Sequence, residues 1–295
     1  MQLGTHIWSF TGFENTQGGI GGELARAGAA AERAGLTHLS VMDHFFQLEH
    51  LQPAETPMLE GYTALGHLAA HTSTVRLGML VGGVTYRHPG LLIKTVTTLD
   101  VLSGGRAWFG IGAGWYEREH RGLGVHFPPT AERFERLEET LRISQAMWDP
   151  ASTAPFEGKH FQLAETLCSP APISSPRPPV MIGGEGERKT LRFVAKYADM
   201  TNMGTHSDLD GIRHKLEVLR KHCADVGRDF GSIQKTVLYN KARLGEDDVD
   251  GFVDLMSGYA EAGIDTVFLM PPANRPASEW IDAVAAPLVP RLAAL

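Results

Sequence analysis

Strand-like and helix-like segments alternate from one end of this 295-residue chain to the other, and that alternation limits its fold more than any single motif does. Strands are expected at Leu3–Ser9, His38–Asp43, Arg76–Gly82, Ala107–Gly112, Val180–Gly183, Met200–Met203, Gln234–Tyr239 and Thr266–Met270. Helices are expected after them, at Glu23–Ala34, Gly61–Ala70, Leu91–Leu102, Ala131–Trp148, Glu187–Tyr197, Leu209–Val226, Val249–Ala262 and Ala277–Leu292. A helix between two strands carries the chain back across a sheet face, so the second strand runs parallel to the first. Repetition of that unit through the whole chain predicts an α/β fold of the (β/α)8 TIM-barrel type rather than an open doubly wound sheet. The fourth helix shows why: Phe134, Leu137 and Leu141 share one face and charged residues the other, as an outer barrel helix requires. Ala34-Gly35-Leu36 and Ala262-Gly263-Ile264 repeat one helix stop, each with glycine at the left-handed cap.

With 43% hydrophobic and 21% charged residues, a chain of this length buries a large core without staples. A single domain over 1–295 is expected, with an insertion at about 149–179 between the fourth helix and the fifth strand, on or beside the ligand face. Its proline and serine content and the turn in Phe156-Glu-Gly-Lys-His-Phe-Gln-Leu163 predict a short hairpin there. Cys168 and Cys223 have no paired spacing, which excludes a thiolate metal knuckle and argues against a disulfide framework. A net charge of -7 without a basic run makes nucleic acid a poor partner. No export pattern opens the chain and no stretch of about 18 apolar residues is present, so no membrane span and a cytoplasmic location are expected.

In a barrel the chemistry belongs at the carboxyl ends of the strands. The second strand delivers Asp43 and His44, the third Leu80-Val81-Gly82-Gly83, the fourth Ala113-Gly114-Trp115, and the fifth Gly183-Gly184-Glu185-Gly186. Two glycine-rich ends in succession, between Val75 and His120, let backbone approach a flat or phosphorylated ligand closely. The turn at Gly183–Gly186 leads into a helix with Lys189 and Thr190, which suits a phosphate; the alternative is an ordinary tight turn. His44 can donate a proton, since an unperturbed imidazole titrates near about 6.5, and Asp43 either orients it or caps a loop. His6 and Trp8, on the first strand, are expected with Trp115 in a substrate pocket. His88 is placed near the pocket rim, and Arg118, His120 and Arg121 are expected mainly as solvated side chains. Other chemistries lack their parts. The first strand does not carry paired metal-binding histidines, and no metal is expected. The glycine run at Gly110 misses the third glycine of a dinucleotide fingerprint, and no lysine ends a strand for Schiff-base chemistry.

Asp43-His44, Val84-Thr-Tyr-Arg-His-Pro89, Thr98-Leu-Asp-Val-Leu-Ser-Gly-Gly-Arg106 and Gly110-Ile-Gly-Ala-Gly-Trp-Tyr-Glu-Arg-Glu-His120 together resemble the luciferase-like monooxygenase superfamily. They look most like its actinobacterial branch of coenzyme F420-dependent oxidoreductases, and Val180-Met-Ile-Gly-Gly and Tyr197-Ala-Asp-Met-Thr-Asn202 agree. The resemblance implies a TIM barrel, in a homodimer, that holds a flavin or deazaflavin. It implies a cis peptide bond near Leu80-Val81 behind the ring, with Gly82, Ala113 and Gly114 beside it, and phosphate contacts at Gly183, Gly184, Gly186 and Thr190. Asp43 and His44 map to the redox edge, as the catalytic pair. A deazaflavin has carbon at the reactive ring position, which favours hydride transfer over oxygen chemistry. The implied function is hydride transfer between F420 and a small organic substrate. The alternatives are an FMN-dependent monooxygenase served by a flavin reductase, and a flavin- or deazaflavin-binding protein without turnover. Relatives that oxidise sugar phosphates carry a catalytic glutamate directly after the strand-four glycine. Trp115 takes that place here, which favours a flat or apolar substrate.

Overall fold

A computed structural model describes residues 1–204, 208–240, 244 and 249–295. In chain order its strands are β1 (Gln2–Ile7), β2 (His38–Val41), β3 (Arg76–Met79), β4 (Gly82–Gly83), β5 (Phe109–Gly112), β6 (Phe156–Glu157), β7 (Gln162–Leu163), β8 (Val180–Gly183), β9 (Met200–Gly204), β10 (Gln234–Tyr239) and β11 (Thr266–Leu269). The helices are α1 (Gly19–Ala34), α2 (Gly61–Ala70), α3 (Pro89–Leu102), α4 (Glu117–Leu123), α5 (Thr130–Met147), α6 (Thr190–Tyr197), α7 (Leu209–Asp225), α8 (Val249–Glu261), α9 (Ala277–Trp280) and α10 (Ala286–Ala293).

Nine strands form one parallel sheet in the order β3-β2-β1-β11-β10-β9-β8-β5-β4. β3 and β4 are two halves of one strand, parted at Leu80-Val81, and the peptide bond between those two residues is cis. The sheet therefore has eight staves. A parallel bridge of Leu77 with Ala107 completes the ring, with the Leu77 N–H donating to Arg106 O and the Trp108 N–H to Leu77 O. This is the expected TIM-type barrel.

Large side chains fill its amino-terminal half. The Trp108 and Phe268 rings and the imidazole of His38 pack against one another, with centroids 5.5 to 6.3 Å apart. Facing staves must then be bare: a Cβ on Gly78 would lie 2.4 Å from the Trp108 ring, and one on Gly4 2.8 Å from the Phe268 ring. With the barrel interior plugged there, the space that runs in between the staves lies at the carboxyl end. Outside, the helices bury their apolar faces against the staves. Leu137 and Leu141 of α5 are buried, each contributing about 1.5–3 kcal/mol. Among the described residues no helix is long and apolar enough to cross a membrane.

Four local features differ from expectation. α4 was not anticipated. α6 begins at Thr190 rather than Glu187, because Glu187–Lys189 are spent on a turn. The last helix is broken by a π turn over Ile281–Ala285, where the Ala286 N–H donates to Ile281 O, just ahead of Pro287 and Pro290, which have no N–H to give. The segment 149–179 does contain the hairpin, with Phe156 opposite Leu163. It runs over α3 and α5 outside the barrel instead of lying at the ligand face: Glu139 of α5 accepts the N–H groups of Lys159, His160 and Phe161, and Asp100 of α3 those of Ile173 and Ser174.

Candidate active site

A cavity of about 980 Å³ opens at the carboxyl ends of the staves. His6 of β1 lines it, as do Asp43 and His44 after β2, Leu80, Val81, Gly82 and Gly83 at the broken stave, and Gly112, Ala113, Gly114 and Trp115 after β5. Gly183, Gly184 and Glu185 after β8, Thr190 of α6, and Thr130, Arg133 and Phe134 of α5 make the opposite wall. The structure thus brings most of the expected positions to one space. Trp8 stays outside it: the side chain packs with Met42, Leu48, Tyr116 and Met270, and its indole N–H donates to Pro271 O at 2.6 Å. β1 ends at Ile7, so Trp8 has left the alternation that aims His6 inward. Gly186 is also outside the lining, its Cβ position 2.9 Å from Thr190 Oγ1.

Asp43 is buried beside the broken stave. Its Oδ2 accepts the Gly83 N–H at 2.9 Å and an Arg87 N–H at 2.8 Å. Arg87 also pairs with Glu60 and lies over the Tyr62 ring, so it clamps the carboxylate from behind. Asp43 Oδ1 is buried with no hydrogen-bond partner. An orphaned carboxylate oxygen costs more than about 1–3 kcal/mol unless a donor meets it, and Asp43 is one of the residues that line the cavity.

His44 faces the same space. Its Nδ1 lies 2.9 Å from Glu119 Oε2, and the rings of Trp115 and Tyr116 meet it edge-on, both centroids at 5.7 Å. Glu119 is fully buried on α4 and accepts three further donors: the Tyr86 hydroxyl at 2.6 Å, the Phe46 N–H at 3.0 Å and the Phe45 N–H. Burial alone would raise its pKa, but the hydrogen bonds from His44, Tyr86 and Phe46 outweigh that and hold Glu119 below its ordinary range. His120, next on the helix, is fully buried too. It stacks on Tyr86 with centroids 4.4 Å apart and bonds Thr85 Oγ1 through Nε2. Arg118 and Arg121 pair with Glu49 and Glu117, and His88 is exposed against Phe161.

Sequence reasoning places His120 mainly in solvent and gives Glu119 no role, whereas both are fully buried. Tyr116, Glu119, His120 and Leu123 recur at helical spacing, which is the one signal available. Arg133 was missed as well. It donates to Gly114 O and, at 2.8 Å, to Thr130 Oγ1, and lies over the Phe127 ring, yet among the described residues it meets no carboxylate. Its buried Nε has no partner. At the turn after β8, Gly184 has φ +111, and a Cβ on Gly183 would fall 2.6 Å from Val81 Cγ2. Backbone therefore forms this wall because side chains do not fit. Bare walls, an orphaned acceptor and an unpaired cation suit a flat, anionic cofactor such as a flavin or deazaflavin.

The luciferase-like monooxygenase family matches residues 1–271, and the chain belongs to that family, which makes it an oxidoreductase. An F420-dependent glucose-6-phosphate dehydrogenase of Kineococcus radiotolerans is 32% identical over 219 residues, 73% of this chain and 62% of that relative. Among solved structures, the monooxygenase RslO1 of Streptomyces bottropensis superposes with a TM-score of 0.80 at 16% identity, over 98% of this chain and 99% of that one. An F420-dependent secondary alcohol dehydrogenase, in complex with an F420-acetone adduct, gives 0.78 at 16% identity, over 97% and 98%. At such identity these two likenesses speak for the fold alone.

Proposed function

We propose that the protein transfers a hydride between coenzyme F420 and a small organic substrate. The observation that carries this is the meeting at one cavity of Asp43, whose buried Oδ1 lacks a donor, and His44, an imidazole held by a carboxylate. F420 dependence of a 32%-identical relative favours the deazaflavin over FMN. When bound, the deazaflavin supplies a carbon centre that gives or accepts hydride. The rest falls to the chain. Leu80, Val81 and Gly82 back the ring, Ala113 and Gly114 edge it, and Asp43 Oδ1 accepts a hydrogen bond from what it faces. Gly183, Gly184 and Thr190 hold the phosphate, with Gly186 shaping the turn and Arg133 adding a cation. His44 exchanges a proton with the substrate oxygen.

Trp115, 57% exposed beside His44 and His50, makes an apolar mouth with Leu48, Leu51 and Met270, which suits a flat or apolar substrate. The FMN-dependent monooxygenase remains the second reading, supported by the monooxygenase family to which the chain belongs. Single-turnover mixing of protein loaded with reduced F420 against a panel of ketones, aldehydes and conjugated carbonyls tests the proposal. Saturable acceleration of cofactor oxidation is expected with at least one compound, slowed about 10²–10³-fold by His44→Ala. No acceleration across the panel argues for binding without turnover. A wild-type rate in His44→Ala removes the imidazole from the chemistry.

A further inference from the structure

Glu119 receives only donors. The two backbone N–H groups of Phe45 and Phe46 occupy Oε1, and the Tyr86 hydroxyl and His44 Nδ1 occupy Oε2. The carboxylate is fully buried and stays ionised, so both partners of Oε2, the Tyr86 hydroxyl and His44 Nδ1, must bring a proton to it. A neutral imidazole has one N–H, and here that N–H must be on Nδ1. Nε2 is then the basic nitrogen, and no protein group among the described residues bonds it.

We propose that Glu119 is a positioning residue that fixes His44 as the Nδ1–H tautomer and thereby presents Nε2 to the cavity as the proton-exchanging atom. In the reducing direction, protonated His44 gives its Nε2 proton to the substrate oxygen as hydride arrives at carbon, and the ring is left neutral with its proton on Nδ1. In the oxidising direction Nε2 takes the proton back, and the buried carboxylate balances the charge on the ring. Tyr86 supports the arrangement from the side, filling the second lone pair of Oε2 and stacking on His120. The inference rests on His44 as the proton-exchanging group of the proposed reaction, but its first test needs no cofactor.

Nitrogen-15 spectra of histidine-labelled protein report the tautomer directly, with His44→Ala assigning the resonance. With the ring neutral, the wild type is expected to show Nδ1–H with a bare Nε2; an Nε2–H tautomer overturns the proposal. Glu119→Gln sharpens the test. The fixed N–H groups of Phe45 and Phe46 hold the new amide oxygen, which turns its NH₂ toward His44 and Tyr86. Tyr86 can rotate its hydroxyl, and His44 can answer only by moving its proton to Nε2. The variant is therefore expected to switch tautomer, to lower kcat about 10²-fold or more, and to change F420 affinity less than about threefold. Retention of Nδ1–H in Glu119→Gln, or an unchanged kcat, overturns the proposal. Should the variant fail to fold, the wild-type spectrum alone decides, and Tyr86→Phe, which leaves the His44–Glu119 bond in place, is expected to keep the wild-type tautomer. If F420 does not bind but the tautomer is as expected, the fault lies with the cofactor assignment and not with Glu119.

Discussion

His38 shows how one residue's surroundings set a property of the whole protein. It is 3% exposed, wedged between Trp108 and Phe268, with Nδ1 bonded to Thr37 Oγ1. Burial, with a smaller contribution from Arg76, pushes its pKa from 6.5 down to about 4. The folded protein thus keeps the ring neutral where the unfolded chain protonates it. The stability contributed by this group is fully present above pH 6.5 and is lost as pH falls toward about 4. The loss is on the order of 3 kcal/mol. Urea unfolding across that window is expected to show a falling limb that His38→Gln flattens; parallel curves would show that His38 does not titrate on folding. Asp43 and His44 were legible in the sequence because they follow directly on a strand, where a barrel puts its chemistry. Glu119 was not, because its role depends on a carboxylate being buried, and an acidic residue between an arginine and a histidine looks like one in water.

Among the elements, α4 and the β6–β7 hairpin are each organised around one buried glutamate, Glu119 and Glu139. The hairpin hangs on Glu139, which takes the N–H groups of Lys159, His160 and Phe161 on one carboxylate. Gly158 makes room for it, since a Cβ there would lie 2.4 Å from Glu139 Oε2. Glu139→Leu strands those donors and is expected to cost about 2–3 kcal/mol and to speed proteolysis within the hairpin. F420 affinity is expected to be unchanged, since no residue of 149–179 lines the cavity. A loss of affinity would mean that the insertion reaches the site. The hairpin was readable from its turn residues, but its place was not. Which surface an insertion covers depends on tertiary partners, here Glu139 and Asp100. α4 escaped notice for a related reason: it is short, and its buried residues are Glu119 and His120, so hydrophobic periodicity does not mark it.

Across the molecule, function follows from where bulk is placed. Trp108, Phe268 and His38 plug the amino-terminal half, and glycines at 78 and 4 yield space to the two large rings. The carboxyl half is left hollow and walled by Gly82, Gly83, Gly112, Gly114, Gly183 and Gly184. The eight-stave plan was legible from alternation alone, because a parallel strand needs its crossover helix. The cavity's contents depend on side-chain chemistry that strand spacing does not encode, and so its ligand is a matter for measurement. Equilibrium titration of the protein with oxidised F420 and with FMN, side by side and in the same buffer, addresses that ligand most directly. Binding of F420 at about micromolar Kd or tighter, with FMN weaker by about tenfold or more, is the expected result. Micromolar binding of FMN without binding of F420 would contradict it.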